Sequence, residues 1–230
     1  MNLLWLTVCT ALAKPMAAAP VVEAVEAGQI DWSAMKLQVT SRSDRTVGAW
    51  KDRRVQEQDA LNRLGPLLTE AALRIRVRPE VRADDLTRPS VPETDVLART
   101  LRERLADWLV RETRYLSGGG VEMDGVLDLQ NWLRPALLTV AAGQPQAPNP
   151  NGPTGVLIDA RPLAFRPCVA PTIALDDDTV IYDASRITPD TVRVHSPVVY
   201  VTDPVAPAAN KRSGSQPLFI SAESSAHDCV

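Results

Sequence analysis

Proline placement constrains this chain more than any other feature. Of its nineteen prolines, twelve fall at or after Pro145. Each fixes its own φ, lacks an amide donor and pushes the preceding residue away from helical geometry. The stretch beyond Pro145 is therefore expected to be short strands joined by turns, without helices or long central strands. Gln144 to Pro153 holds Pro145, Pro148, Pro150 and Pro153, a composition that stays extended and packs poorly. This divides the chain into a domain at 31–140, a proline-rich linker at 141–153 and a C-terminal segment at 154–230. The expected fold class is α+β, an antiparallel sheet with packed helices in the N-terminal part, followed by a mainly β C-terminal part.

Residues 1–19 are apolar and rich in small side chains, including Leu3, Leu4, Trp5, Leu6, Val8 and Ala17 to Ala19. The apolar core is about ten residues, too short to span a bilayer as a helix. It reads as a secretory signal peptide with Ala11-Leu12-Ala13 as a cleavage site, although no Lys or Arg precedes the core. Leu6-Thr7-Val8-Cys9 has the outline of a lipoprotein box, but Val8 is too bulky for the position before a modified cysteine. Export would leave Cys168 and Cys229 in an oxidising compartment, where they could bridge. They could equally be two separate small hydrophobes, because geometry decides pairing. The net charge of −3 argues against a nucleic-acid partner. With only two histidines, His195 and His227, His-based catalysis or metal binding has little material.

After a small-residue lead-in at 20–30, expected to be flexible, Met35, Leu37 and Val39 alternate with polar residues as in a half-buried strand. Val47, Trp50, Ala60, Leu61, Leu64, Leu68 and Ala71 then form one helical stripe. Gly65-Pro66 is expected to kink that helix or restart it. Leu73, Ile75 and Val77 alternate with Arg74, Arg76 and Arg78, which predicts a strand bearing three arginines on one face. Those arginines are a candidate anion- or lipid-facing surface, or else a solvated face answered by Glu80, Asp84 and Asp85. Ser90-Val91-Pro92-Glu93 has the form of a capping box, opening a helix through about Val110 with Leu97, Leu101, Leu105 and Trp108 on one side. Ser117 to Gly120 reads as a hairpin turn, since no Lys-Ser/Thr follows it as in a phosphate cradle. Val121 to Leu129 continues as a strand. Further strands are expected at Val156–Ile158, Thr179–Tyr182, Thr191–His195, Val198–Thr202 and Leu218–Ala222.

None of the polar clusters nominates a reaction. Asp176-Asp177-Asp178 lacks the ligand alternation and turn glycine of a calcium loop and reads as an acidic turn. Asp159 and Arg161 share a strand face and can form a structural ion pair. Cys168 has no neighbouring histidine. No catalytic residue, cofactor or metal ligand is expected.

Several segments together resemble the bacterial lipoprotein-20 family. Asp31-Trp32, the strand to Thr40 and the helix Arg53 to Leu64 are similar to that family's opening, with Asp59-Ala60 matching its "A-x-x-D-A-x-R-N-L" motif. Tyr115-Leu116-Ser117-Gly118-Gly119-Gly120-Val121-Glu122-Met123 resembles its "Y-L-x-D-G-x-V-E-V" hairpin. Thr154 to Arg161 resembles "T-G-L-I-I-D-A-R-G-L", and Gly214 to Ile220 a later "V-G-x-N-P-L-V-V" strand. Pro162, Asp178 and Asp183 stand where the family has glycine. The resemblance implies a non-enzymatic exported protein of the periplasm or outer membrane. Some members of that family build rings or discs around the flagellar motor. It carries over no catalytic residues. The expected function is structural or assembly work in the envelope, possible in motility, with protein partners or a homo-oligomeric ring and peripheral contact with outer membrane or peptidoglycan. The alternatives are a periplasmic glycan- or lipid-binding module using Arg74, Arg76 and Arg78, and, behind it, a hydrolase whose acid–base pair is assembled by folding.

Overall fold

Strand β3 (Lys36–Arg42) buries Leu37, Val39 and Ser41 and exposes Lys36, Thr40 and Arg42, so one of its faces must be covered and the other need not be. In the computed structural model, which describes residues 18–44, 52–89, 95–145, 151–205 and 211–225, β3 is the middle of a five-stranded antiparallel sheet. The hairpin of β1 (Val22–Val25) and β2 (Gly28–Asp31) lies on one side of it, and β7 (Val121–Asp128) and β6 (Leu109–Tyr115) on the other, in the order β1-β2-β3-β7-β6. The expectation of a flexible lead-in at 20–30 is thus corrected. Those residues build an edge hairpin, and Ile30 belongs to the core.

Helix α1 (Arg53–Leu73) covers the buried sheet face with Gln56, Ala60, Leu64, Leu68 and Ala72, one residue per turn. It starts on the Asp52 side chain, and Val47 and Trp50 lie outside the described residues. Of the two expected outcomes at Pro66, a restart does not occur: the helix runs through it unbroken. Pro66 and Asn62 are both exposed, so the break in the helix's hydrogen-bond ladder lies on its solvent side. Gly125 on β7 sits directly beneath this helix, and a Cβ there would meet the Leu64 side chain at 3.1 Å. Gly125→Val is expected to lift α1 and to cost about 2 kcal/mol, read as a lower urea midpoint at unchanged m-value.

Helix α2 (Ala83–Thr87) follows a short ribbon of β4 (Arg76–Arg78) and β5 (Val81–Arg82). Helix α3 (Val96–Arg104) is capped by Asp95 and buries Ala98 and Leu101; the expected capping box at Ser90 to Glu93 lies outside the described residues. The helix stops before Val110, which belongs to β6. The β6–β7 hairpin closes as expected at Ser117 to Gly120, with the Leu116 N–H donating to Gly120 O and Gly119 at φ 84°. Leu129 does not extend β7. It opens α4 (Leu129–Val140), capped by Asp128, which buries Leu129, Trp132, Leu133, Ala136 and Leu137.

Beyond the linker, β8 (Gly155–Asp159) pairs in parallel with β11 (Pro217–Ser221), and β9 (Ile173–Ala174) pairs with β10 (Val180–Tyr182). Neither pair joins the five-stranded sheet. Thr191–His195, expected as a strand, lies mostly in helix α5 (Pro189–Val194). Thr188 caps it, Pro189 occupies its first turn and Asp190 follows, three residues suited to a helix start. Val198–Thr202 is irregular. The fold is α+β. The division by composition does not divide the core, because Val169, Ala170, Ala184, Ile187 and Val192 join the same buried cluster as the N-terminal residues.

Candidate functional site

Trp32 ends the β1–β2 hairpin and is completely buried. Its indole N–H donates to Glu23 Oε2 at 2.9 Å, and the same oxygen accepts from Arg76 Nη2 at 2.5 Å. The Arg76 guanidinium lies 6.0 Å from the Trp32 ring and also donates to the Pro167 carbonyl at 3.1 Å. On its other side Trp32 meets Tyr200 edge-on at 6.1 Å. The Tyr200 hydroxyl donates to Cys168 O at 2.8 Å and accepts from Cys168 N at 3.2 Å, and burial pushes its pKa up. Val169 and Ala170 N–H groups bond to the carbonyls of Arg76 and Val77. This knot fastens the C-terminal segment to the sheet. A cleft of about 190 Å³ beside it is lined by Glu23, Glu26, Arg74, Arg76, Arg82 and apolar neighbours.

The arginine surface expected at Arg74, Arg76 and Arg78 is corrected by this arrangement. Leu73 ends α1 and Arg74 is its C-cap, so no strand carries all three. Arg74 pairs with Glu70 at 2.6 Å and Glu26 at 3.2 Å. Arg76 turns inward onto Glu23, and Arg78 is half-buried. The answering carboxylates for Arg74 and Arg76 come from α1 and the β1–β2 hairpin, not from Glu80, Asp84 and Asp85.

Asp159 and Arg161 do pair, Arg161 Nε and Nη2 donating at 2.8 and 2.5 Å. These bonds hold the Asp159 carboxyl down at about 2. The pair is local and exposed, while Asp159 serves the C-terminal sheet through its backbone, whose carbonyl accepts from Ala222. Asp176 to Asp178 form the β9–β10 turn, where Asp178 stands at φ 63° and Asp177 accepts from Thr179 N–H. Cys168 is fully buried and disulfide-bonded. Its partner, like Cys229 and His227, lies outside the described residues. His195 is the exposed C-cap of α5. Among the described residues no group of three or more His, Cys, Asp or Glu gathers for a metal, and no helix is long and apolar enough to cross a membrane.

The uncovered sheet face carries a network that spacing alone did not nominate. Arg114 grips Asp124 with two bonds, at 2.6 and 2.9 Å, and also reaches Glu112 and Glu122. Thr40 donates to Asp124 at 2.7 Å. The Arg114 bonds hold the Asp124 carboxyl below its ordinary range; burial opposes this, and the Thr40 bond reinforces it. A depressed native pKa adds stability above the unfolded value of about 3.9, which is lost as pH falls through the native one. Acid unfolding of Asp124→Asn, followed by circular dichroism, is expected to show a shallower loss of stability below about pH 4 than the parent.

Apolar exposure gathers on the β8–β11 ribbon. Val156 is 53% exposed, Leu218 47% and Phe219 64%, with Ile158 and Ile220 also open. The register sets Val156 beside Leu218 and Ile158 beside Ile220, with Leu157 beside Phe219 on the opposite face.

Residues 155–228 match a family model described as the second domain of Treponema pallidum Tp0624. The match starts at the first residue of β8 and runs past β11, so it takes in the apolar ribbon, the acidic turn and α5. No curated protein matches the chain.

Proposed function

We propose that the chain is an exported cell-envelope protein that works by assembly, docking on protein partners or on further copies of itself in a ring- or disc-like structure such as those around a flagellar motor. The observation that carries this reading is the β8–β11 ribbon. Parallel strands ordinarily lie inside larger sheets covered on both faces, and a two-stranded sheet has little independent stability. Here the pair has no third strand among the described residues, and apolar side chains are open on both faces. Val156, Ile158, Leu218 and Ile220 share one face as a contiguous patch of the kind that marks an interaction surface, and Phe219 stands open on the other. The signal-like N-terminus and the lipoprotein-20 resemblance over most of residues 31–222 support the envelope setting.

The test is recovery of the full-length chain, expressed with its own N-terminus, from a bacterial envelope fraction after mild cross-linking. The expected result is a processed protein in complexes larger than a monomer, with Phe219→Asp shifting it to the monomer position. A variant that stays in the same complexes would remove the ribbon from the contact.

A further inference from the structure

We infer that the β6 edge pairs with the β6 edge of a second copy, antiparallel, about a two-fold axis at Thr113. β6 ends the five-stranded sheet, and no strand covers its outer side among the described residues. Its hydrogen-bonding phase is fixed at the hairpin end. Leu116 donates inward to Gly120, whereas the Val121 N–H and C=O turn away from β6 to bond Ser43. Tyr115, opposite Val121, and Thr113, opposite Met123, therefore direct their backbone groups outward. Arg114 and Glu112 direct theirs toward β7.

Two such edges can bond only if outward residues meet outward residues, which restricts the possible registers. Centring on Glu112 sets Glu112 against itself, and centring on Arg114 sets Arg114 against itself. Like charges directly opposite destabilise a strand pair. Centring on Thr113 places Thr113 opposite Thr113 at a hydrogen-bonded site and Glu112 opposite Arg114 twice, at the closer non-hydrogen-bonded sites. Glu112 and Arg114 lie on the same uncovered face and already touch within one chain at 2.9 Å, so the pairing would extend the Asp124–Arg114–Glu112 network across the axis. Charged side chains and the register irregularity between Val110 and Glu112 are devices that keep an edge from indiscriminate pairing. Among the registers centred from Glu112 to Arg114, the one at Thr113 is the one that sets opposite charges against each other. The contact is independent of the β8–β11 ribbon, so each can fail alone.

The experiment uses the full chain carrying Thr113→Cys, with Ser117→Cys, on the exposed hairpin turn, as a control. Opposed Cα atoms about 5.5 Å apart suit a disulfide, so mild oxidation should give a reducible dimer joined at position 113 and none at position 117. In the otherwise unaltered chain, Glu112→Lys should weaken dimerisation about tenfold through two like-charge contacts, while its circular dichroism spectrum stays that of the parent. A Thr113→Cys protein that folds without cross-linking, or a Glu112→Lys variant that dimerises as before, would overturn the pairing. Loss of larger complexes with Phe219→Asp alongside a persistent Thr113→Cys dimer would show the two contacts to be separate.

Discussion

Trp32→Ala is expected to lower stability by about 4 kcal/mol. The indole is fully buried and touches three things that hold the molecule together: Glu23 of the edge hairpin, Arg76 of β4 and Tyr200 of the C-terminal segment. Truncation opens a cavity, removes one of the two donors to Glu23 Oε2 and removes the ring against which Tyr200 packs. The loss should therefore be local as well as global. At denaturant concentrations where the parent resists protease, cleavage is expected between residues 160 and 205. Trp32→Phe, which keeps a ring but loses the N–H, should fall between parent and alanine variant. Destabilisation without any added cleavage in that segment would mean that the knot does not fasten it.

Cys168→Ser follows, with an expected loss of about 3 kcal/mol under oxidising conditions. The sulfur is buried, and the residue's own N–H and carbonyl are both held by Tyr200, so the cross-link joins a point that is already ordered. Reductant should bring the parent down to the stability of the variant and leave the variant unchanged. Equal sensitivity of both proteins to reductant would contradict a role for the cross-link. The chain has three cysteines, and Cys9 lies in the segment expected to be removed on export. Non-reducing peptide mapping of the processed protein should then find Cys168 joined to Cys229.

How much of this was legible in the sequence varied with the physical cause. Alternation gave β3, and the glycine run gave the β6–β7 turn. Val156–Ile158 and Leu218–Ala222 were readable as strands, but their mutual parallel pairing was not, because nothing local specifies a partner 62 residues away. The α4 stripe of Leu129, Trp132, Leu133, Ala136 and Leu137 has helical spacing throughout, yet the preceding strand pattern runs into Leu129 and Pro135 sits inside it. Thr188-Pro189-Asp190 carries a helix start, but the β-branched residues of Thr191–His195 outweighed it. The arginine strand failed for a different reason. Strand-like alternation also fits the last turn of α1 followed by a short strand, and only the fold shows that Arg74 caps a helix while Arg76 turns inward. Glu23 and Tyr200, distant in sequence and unremarkable alone, become partners of Trp32 and Arg76 only after folding.

Assembly of this chain through its exposed strands can be read from sedimentation of the processed protein over a wide concentration range, alone and with envelope extract. The mass is expected to rise with concentration or on addition of extract, with the rise reduced by Phe219→Asp. A single monomeric species at every concentration, unchanged by extract, would contradict it.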